Sequence, residues 1–405
     1  MNRPLLALAL VALASPATAQ DTTALSWTRE VIQSTKLKES RPLFIATPAN
    51  YATTSQRYPV LVLLDANDGP QFTAAVANVA FLASRGAIPS LIVVGIPNTK
   101  DRTHDLTPPV TGTDAKKFPT AGGADALEDF IADEVLPMVR AKYRTARTTI
   151  LAGHSFGGLF AMHVAATRPG AYTGIIAMSP SLWWNDSTVV VTYSNAIAKS
   201  PKPLRLFATS GGLEPAIDVT TKRLESRLDS LKPATVAFGY RFYPENTHGL
   251  TPAPSLTDGL RFVFEPISMS KLPIAKLTPG VDSATVVKAA IETEEGYARG
   301  ARSLDLPEVL PEDVLNSLGY NVLQLKHPAL AVWVFQRNVV LHPESANVYD
   351  SLGDGLLAQG DTTAAKNAFK RAVDIATRTG HVVLAESRRK LQELEQPVQA
   401  GKPKP

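Results

Sequence analysis

The chain has 405 residues, 44% hydrophobic and 19% charged, enough for two or three folding units with sizeable cores. Its net charge of +4 is small and dispersed, with no run of basic residues, which argues against a nucleic-acid partner. The absence of cysteine excludes disulfides, thiolate metal sites, a cysteine nucleophile and lipidation at a leader cysteine.

Residues 1–19 have the three-part layout of a secretory signal peptide. Arg3 gives a positive start, 5–14 form an apolar run, and Ala17-Thr18-Ala19 supplies the small residues that a signal peptidase reads. The run falls short of the roughly 20 residues a membrane span needs. The mature chain is therefore expected to be periplasmic or secreted, without membrane insertion.

From 26 to 264, apolar runs at 58–64, 91–96, 148–152, 174–178, 204–209 and 237–243 read as strands. Amphipathic stretches at 124–142 and 220–231 read as helices between them. Buried strands alternating with helices predict an α/β fold with a mostly parallel central sheet, covered on both faces. Pro42, Pro48 and Pro59 place the early strands at the sheet edge.

Residues 266–281 carry prolines and no period, as a linker would. From 282 onward the sequence reads as helices without strands, beginning with one over 282–299. Leu318-Gly319 recurs 34 residues later as Leu352-Gly353, and Ala331 and Phe335 recur as Ala365 and Phe369. That period resembles the tetratricopeptide repeat, whose small residues let helices cross closely, and whose surfaces take protein partners. The expected organisation is a catalytic domain over 20–265, the linker, a small all-α domain over 282–395, and a disordered tail over 396–405.

Chemistry concentrates at Gly153-His154-Ser155-Phe156-Gly157-Gly158, directly after the strand at 148–152 and before a helix. A serine hydroxyl is a weak nucleophile until a sharp strand-to-helix turn lifts it clear of the sheet beside a base. The same turn aims the Phe156 amide at a developing oxyanion. The alternative is a tight turn whose serine caps the helix. Triad partners on such a sheet follow in the order serine, acid, histidine. His248, in Asn246-Thr247-His248-Gly249 after the last strand, fits the base. Glu214, in the loop after 204–209, is favoured as the acid, with Asp218 the runner-up and helix capping the alternative for both. Trp183 and Trp184, at another strand end, form either an aromatic wall for substrate or part of the core. No phosphate-binding glycine loop or convincing metal set appears, so no cofactor is expected.

In this order, YPVLVLLDANDGP, DLTPP, GHSFGGLFA, SPSLWW, GGLE and NTHGL resemble the putative-esterase family of α/β hydrolases. That family takes in esterase D-like enzymes, siderophore trilactone esterases, feruloyl esterases and mycolyltransferases; the likeness spans 27–264 and is greatest to the siderophore-esterase-like branch. The resemblance implies an α/β-hydrolase fold and a triad of Ser155, Glu214 and His248. It also implies a second oxyanion amide at Ala66 or Asn67; family members carry Asp-Gly where this chain has Asp65-Ala66, so the donor is open. An arginine lies near substrate in the family at the region of Arg102, the alternative being surface pairing with Asp101 or Asp105. The implied activity is ester hydrolysis through an acyl-enzyme, on siderophore-type or other small-molecule esters. Acyl transfer to another alcohol, or cleavage of feruloyl or acetyl groups from carbohydrate, would use the same triad. A different class of reading is a non-catalytic interaction module built on the helical repeats.

Overall fold

The computed structural model describes residues 26–395, apart from 50, 54, 55, 68, 69 and 279. The expected signal peptide and tail lie outside the described residues. Among the described residues, eight strands form one sheet: β1 (Thr28–Ser34), β2 (Glu39–Ala46), β3 (Tyr58–Leu64), β4 (Ile92–Ile96), β5 (Thr145–His154), β6 (Gly174–Met178), β7 (Leu204–Gly211) and β8 (Val236–Tyr243). Their spatial order is β1-β2-β4-β3-β5-β6-β7-β8. β2 is antiparallel to β1 and β4, and every other pairing is parallel.

The six strands predicted from apolar runs are all present; the inner ones bury both of their faces, whereas β8, at the edge, is mostly half-buried. Val60, Val62 and Leu64 of β3 enter one core, while Leu61 and Leu63 enter the other. Ile175 and Ala177 of β6 divide from Ile176 and Met178 in the same way. Strand periodicity of two thus produces an unbroken apolar run where both faces are covered.

The covering helices are α1 (Pro70–Ser84), α2 (Arg102–Leu106), α3 (Gly112–Lys117), α4 (Ala124–Phe130), α5 (Leu136–Lys142), α6 (Phe156–Thr167), α7 (Thr188–Ala198), α8 (Pro215–Leu231) and α9 (Pro252–Val263). α1 and α9 bury Phe72, Val79, Leu256 and Leu260 on one face. α4 to α8 bury Phe130, Val139, Phe160, Val190 and Leu224 on the other. The helix predicted over 124–142 is interrupted by a π turn at Ile131–Val135, just ahead of Pro137, which has no N–H to donate.

The proline argument placed the prolines too far out in the sheet. Pro42 sits in β2, one strand in from the edge, between β1 and β4. Pro59, however, lies in β3 at the centre of the sheet, at a register shift against β5 between Tyr58 and Val60. An irregularity in the ladder tolerates the missing donor.

The expected linker is also more structured than its composition suggested. It forms short 3-10 turns at Glu265–Ile267, Met269–Lys271 and Pro273–Lys276, with Ile267 and Leu272 buried. Prolines open the first turn's helical positions, where no amide donor is needed. The chain then continues as α10 (Ser283–Ser303), α11 (Glu312–Gln324), α12 (Pro328–Leu341), α13 (Ala346–Gln359), α14 (Thr362–Thr379) and α15 (Leu384–Glu395). The core on the α1/α9 face runs on into Ala290, Leu315 and Phe335. Thr148 Oγ1 donates to the Leu304 carbonyl at 2.6 Å, tying the start of β5 to the end of α10. The repeated glycines have a packing reason: a Cβ on Gly319 would stand 2.3 Å from the Phe335 ring, and one on Gly353 2.5 Å from Phe369. Among the described residues no helix is long and apolar enough to cross a membrane.

Candidate active site

Ser155 sits between β5 and α6 with φ 60° and ψ −116°, a backbone conformation that side-chain-bearing residues rarely adopt. The turn is tight enough that a Cβ on Gly153 would lie 2.3 Å from the Gly157 carbonyl oxygen. The loop after β6 holds the turn from both sides. The Ser155 N–H donates to the Met178 carbonyl at 3.0 Å, and the Ser155 carbonyl accepts from the Ser181 N–H at 3.1 Å. The two hydroxyls, Ser155 Oγ and Ser181 Oγ, lie 3.5 Å apart. Ser155 does not cap α6 with its side chain.

Glu214 and His248 meet across two neighbouring strand ends. His248 Nδ1 lies 2.5 Å from Glu214 Oε2; a carboxylate only accepts, so Nδ1 carries the proton and Nε2 is left as the basic nitrogen. The other oxygen, Oε1, accepts from Ser179 Oγ at 2.5 Å and from the Gly211 N–H. Burial pushes the Glu214 carboxyl up, but the hydrogen bonds from His248, Ser179 and Gly211 outweigh it and hold the group below its usual range. The acid loop and the histidine loop are stitched together by Gly212 N–H to the Tyr243 carbonyl (2.9 Å) and Leu213 N–H to the Asn246 carbonyl (3.2 Å). Glu214 occupies the N-cap position of α8 without capping it. Asp218 points elsewhere, accepting from Ser210, Tyr240 and Lys222.

His154 packs its ring on that of His248, centroids 4.3 Å apart. Burial, then the nearby His248, depress the His154 imidazole to about 4, so it is neutral at pH 7. This contact brings His248 to the residue adjoining Ser155. No hydrogen bond joins Ser155 Oγ to His248.

The two oxyanion alternatives separate clearly. The Ala66 N–H is engaged by the Ile96 carbonyl at 3.1 Å, so Ala66 cannot serve as donor. The Asn67 N–H has no partner among the described residues, and neither has that of Phe156 at the start of α6. Arg102 departs from the alternative of pairing with Asp101 or Asp105. Asp101 caps α2 and Asp105 pairs with Arg41, and Arg102 reaches instead to Asp65 with two nitrogens, at 2.5 and 2.9 Å.

Beside the nucleophile turn, Phe118, Phe156, Trp183 and Trp184 form one aromatic cluster with centroid separations of 4.9–6.0 Å. Trp184 is fully buried and belongs to the core, whereas Trp183 and Phe156 are half-buried. Phe118 was missed in the sequence, having no motif around it. Among the described residues no group of three or more His, Asp or Glu side chains gathers to hold a metal.

Comparison with known proteins bears on the same region. Residues 34–233 match the family described as "Putative esterase". The chain is 31% identical over 191 residues to the ferri-bacillibactin esterase of Bacillus subtilis, covering 42% of this chain and 65% of that protein. It is 39% identical over 115 residues to the siderophore enterobactin esterase of Emericella nidulans, covering 25% and 38% respectively. The chain therefore spans less than two thirds of the length of these curated relatives. The crystal structure of an IroE-like serine hydrolase from Shewanella oneidensis aligns at a TM-score of 0.65 and 26% identity, over 77% of this chain and 99% of that one. An uncharacterised protein from Capnocytophaga ochracea shares the fold over 91% of this chain and 99% of its own, at 15% identity and a TM-score of 0.59. Over its segment 34–233, the chain is thus similar to the family described as "Putative esterase", and its fold is that of the IroE-like hydrolase structure.

Proposed function

We propose that the protein is a serine carboxylic-ester hydrolase acting through Ser155, His248 and Glu214, on siderophore-type esters. The observation that carries this reading is the 2.5 Å contact of His248 Nδ1 with the buried Glu214, beside a serine held at positive φ. In the first step Ser155 Oγ attacks the ester carbonyl while His248 Nε2 takes its proton, and Glu214 stabilises the imidazolium without accepting that proton. The amides of Phe156 and Asn67 hold the oxyanion. As the tetrahedral adduct collapses, the imidazolium protonates the departing alcohol and leaves an acyl-Ser155. Water, deprotonated by the same nitrogen, attacks that ester, and Ser155 regains its proton as the acid leaves.

The substrate class follows the printed activities of the Bacillus and Emericella relatives, and the half-buried rings of Trp183 and Phe156 suit an aromatic acyl group. The composition of 1–19 supports action outside the cytoplasm, and the repeated helices beyond α10 support a surface for a protein partner. The test is hydrolysis of p-nitrophenyl esters of graded acyl length by wild type and Ser155→Ala, with fluorophosphonate labelling. Turnover and labelling by wild type alone sustain the reading. An alanine variant that is equally active, or a wild type inert in both assays, removes it.

A further inference from the structure

An oxyanion hole works only if its donors are fixed where charge develops, and here they come from different strands. Asn67 follows β3, and Phe156 follows β5. Three side chains tie these places together. Arg102 sends Nε to Asp65 Oδ1 (2.5 Å) and Nη2 to Asp65 Oδ2 (2.9 Å), and Nη2 also reaches the His154 carbonyl at 3.2 Å. Asn98 donates its side-chain amide to Asp65 Oδ1 at 2.6 Å, and its backbone N–H to Asn67 Oδ1 at 3.1 Å. With the Ala66 N–H donating to the Ile96 carbonyl, each of residues 65, 66 and 67 has at least one hydrogen bond with the end of β4 or the loop after it.

We propose that Arg102, Asp65 and Asn98 are positioning residues that set the oxyanion loop against the nucleophile turn, and that Arg102 is not an anchor for a substrate anion. The inference rests on the esterase reading above. Asp65 adopts φ 57° without being glycine, a conformation that persists where surroundings over-determine it. Its side chain is only 10% exposed, and its carboxylate faces the nucleophile turn, 3.0 Å from where a Cβ on Gly157 would stand. Withdrawing Arg102 to bind a substrate carboxylate or phenolate would leave that buried charge without its cation. Two-pronged geometry matters here, so lysine is no substitute for the guanidinium fork. Phe156 completes the brace, its ring 5.6 Å beneath the guanidinium carbon.

The test compares Arg102→Gln, Arg102→Lys, Asp65→Asn and the Asp65→Asn/Arg102→Gln double variant on two substrates. One is neutral, p-nitrophenyl butyrate, and the other anionic, p-nitrophenyl hydrogen succinate. Inhibition by a trifluoromethyl ketone, which forms a tetrahedral oxyanion on serine, is measured alongside. The brace predicts that kcat falls about 100-fold on both esters, with KM held within about 3-fold. Affinity for the ketone should fall in parallel, and the double variant should be no slower than the slower single. A rise in KM confined to the anionic ester, with kcat kept, would instead make Arg102 a substrate contact. Losses that multiply in the double variant, or a kcat loss with ketone affinity unchanged, overturn the brace as well. Running Arg102→Lys and Asp65→Asn in parallel guards against one variant failing to fold. Wild type inert on both esters would sink the esterase reading and the brace together; an active wild type, silenced by Ser155→Ala, leaves only the brace at stake.

Discussion

Replacing Ser179 by alanine tests how Glu214, the proposed triad acid, is held. Ser179 is fully buried, and its hydroxyl donates to Glu214 Oε1 at 2.5 Å, beside the Gly211 N–H on the same oxygen. Those two donors anchor one carboxylate oxygen so that the other faces His248. A hydrogen bond to a charged group contributes about 1.5–3 kcal/mol, and alanine introduces no polar atom in its place. Burial raises the Glu214 carboxyl, and the bonds from His248, Ser179 and Gly211 together bring it below its usual value of 4.5. Stability from a depressed carboxyl is present above the unfolded value and is lost as pH falls through the folded one. Ser179→Ala should therefore cost about 2 kcal/mol at pH 7, and progressively less below about pH 4.5. If half of that loss also reaches the transition state, kcat falls about 5-fold while KM is unchanged. Urea unfolding at pH 8, 6 and 4, with kcat and KM at pH 8, measures both. An equal destabilisation at every pH would mean a packing loss, and an unchanged kcat would mean that Gly211 suffices to orient the acid. Either result refutes the reasoning.

Two further outcomes are expected. Glu214→Gln should lower kcat by about three orders of magnitude or more, since an amide cannot stabilise the imidazolium; Asp218→Asn, whose side chain contacts Ser210, Tyr240 and Lys222, should keep kcat within about 3-fold. Equal losses in steady-state assays of the two would reopen the choice of acid. Glu128, buried with one oxygen bonded to Tyr172 and the other unpartnered, has its carboxyl raised by burial to about 7. The folded chain keeps that proton while the unfolded chain sheds it, so stability falls between about pH 4.5 and 7. Glu128→Gln should remove that slope and gain up to about 3 kcal/mol on wild type above pH 7; a urea midpoint shifted equally at pH 5 and pH 8 would count against it.

The sheet was legible because burial on both faces writes an unbroken apolar run, as at Tyr58–Leu64. Ser155 was legible because the turn that strains it also demands glycine at Gly153. The acid stayed open between two carboxylates four residues apart, though a signal was available. Pro215 opens α8, which leaves Glu214 at the non-helical N-cap and Asp218 in the first turn. The partner of Arg102 was not legible. Asp101 and Asp105 are its neighbours in sequence, yet helix capping and Arg41 occupy them. Asp65 lies 37 positions away and becomes a neighbour only because β3 and β4 are adjacent in the sheet. Ser179 and His154 escaped for the same reason, since each acts on a residue delivered by a different strand.

Strand order explains why so many strands contribute to one candidate site. Groups on an open parallel sheet gather beyond the carboxyl ends of its strands. Here Asn67 follows β3, Ser155 follows β5, Ser179 follows β6, Glu214 follows β7 and His248 follows β8, in the order in which those strands stand side by side. The proposed oxyanion loop is thus next to the proposed nucleophile, the proposed acid is next to the proposed base, and Ser179 lies between the two pairs with a hydroxyl for Glu214. Most links in the site are contacts between adjacent strand ends; the exceptions are Arg102, which reaches past β3 to the His154 carbonyl, and His248, which must reach back across β7 and β6 to Ser155. His154 spans that gap by stacking on the His248 ring from the serine's side. The helical unit is tied to the start of β5 through Thr148, whereas all of these groups stand at strand ends. Differences in acyl preference should therefore arise from the loops after β4 and β6, which carry Phe118 and Trp183, more than from α10–α15.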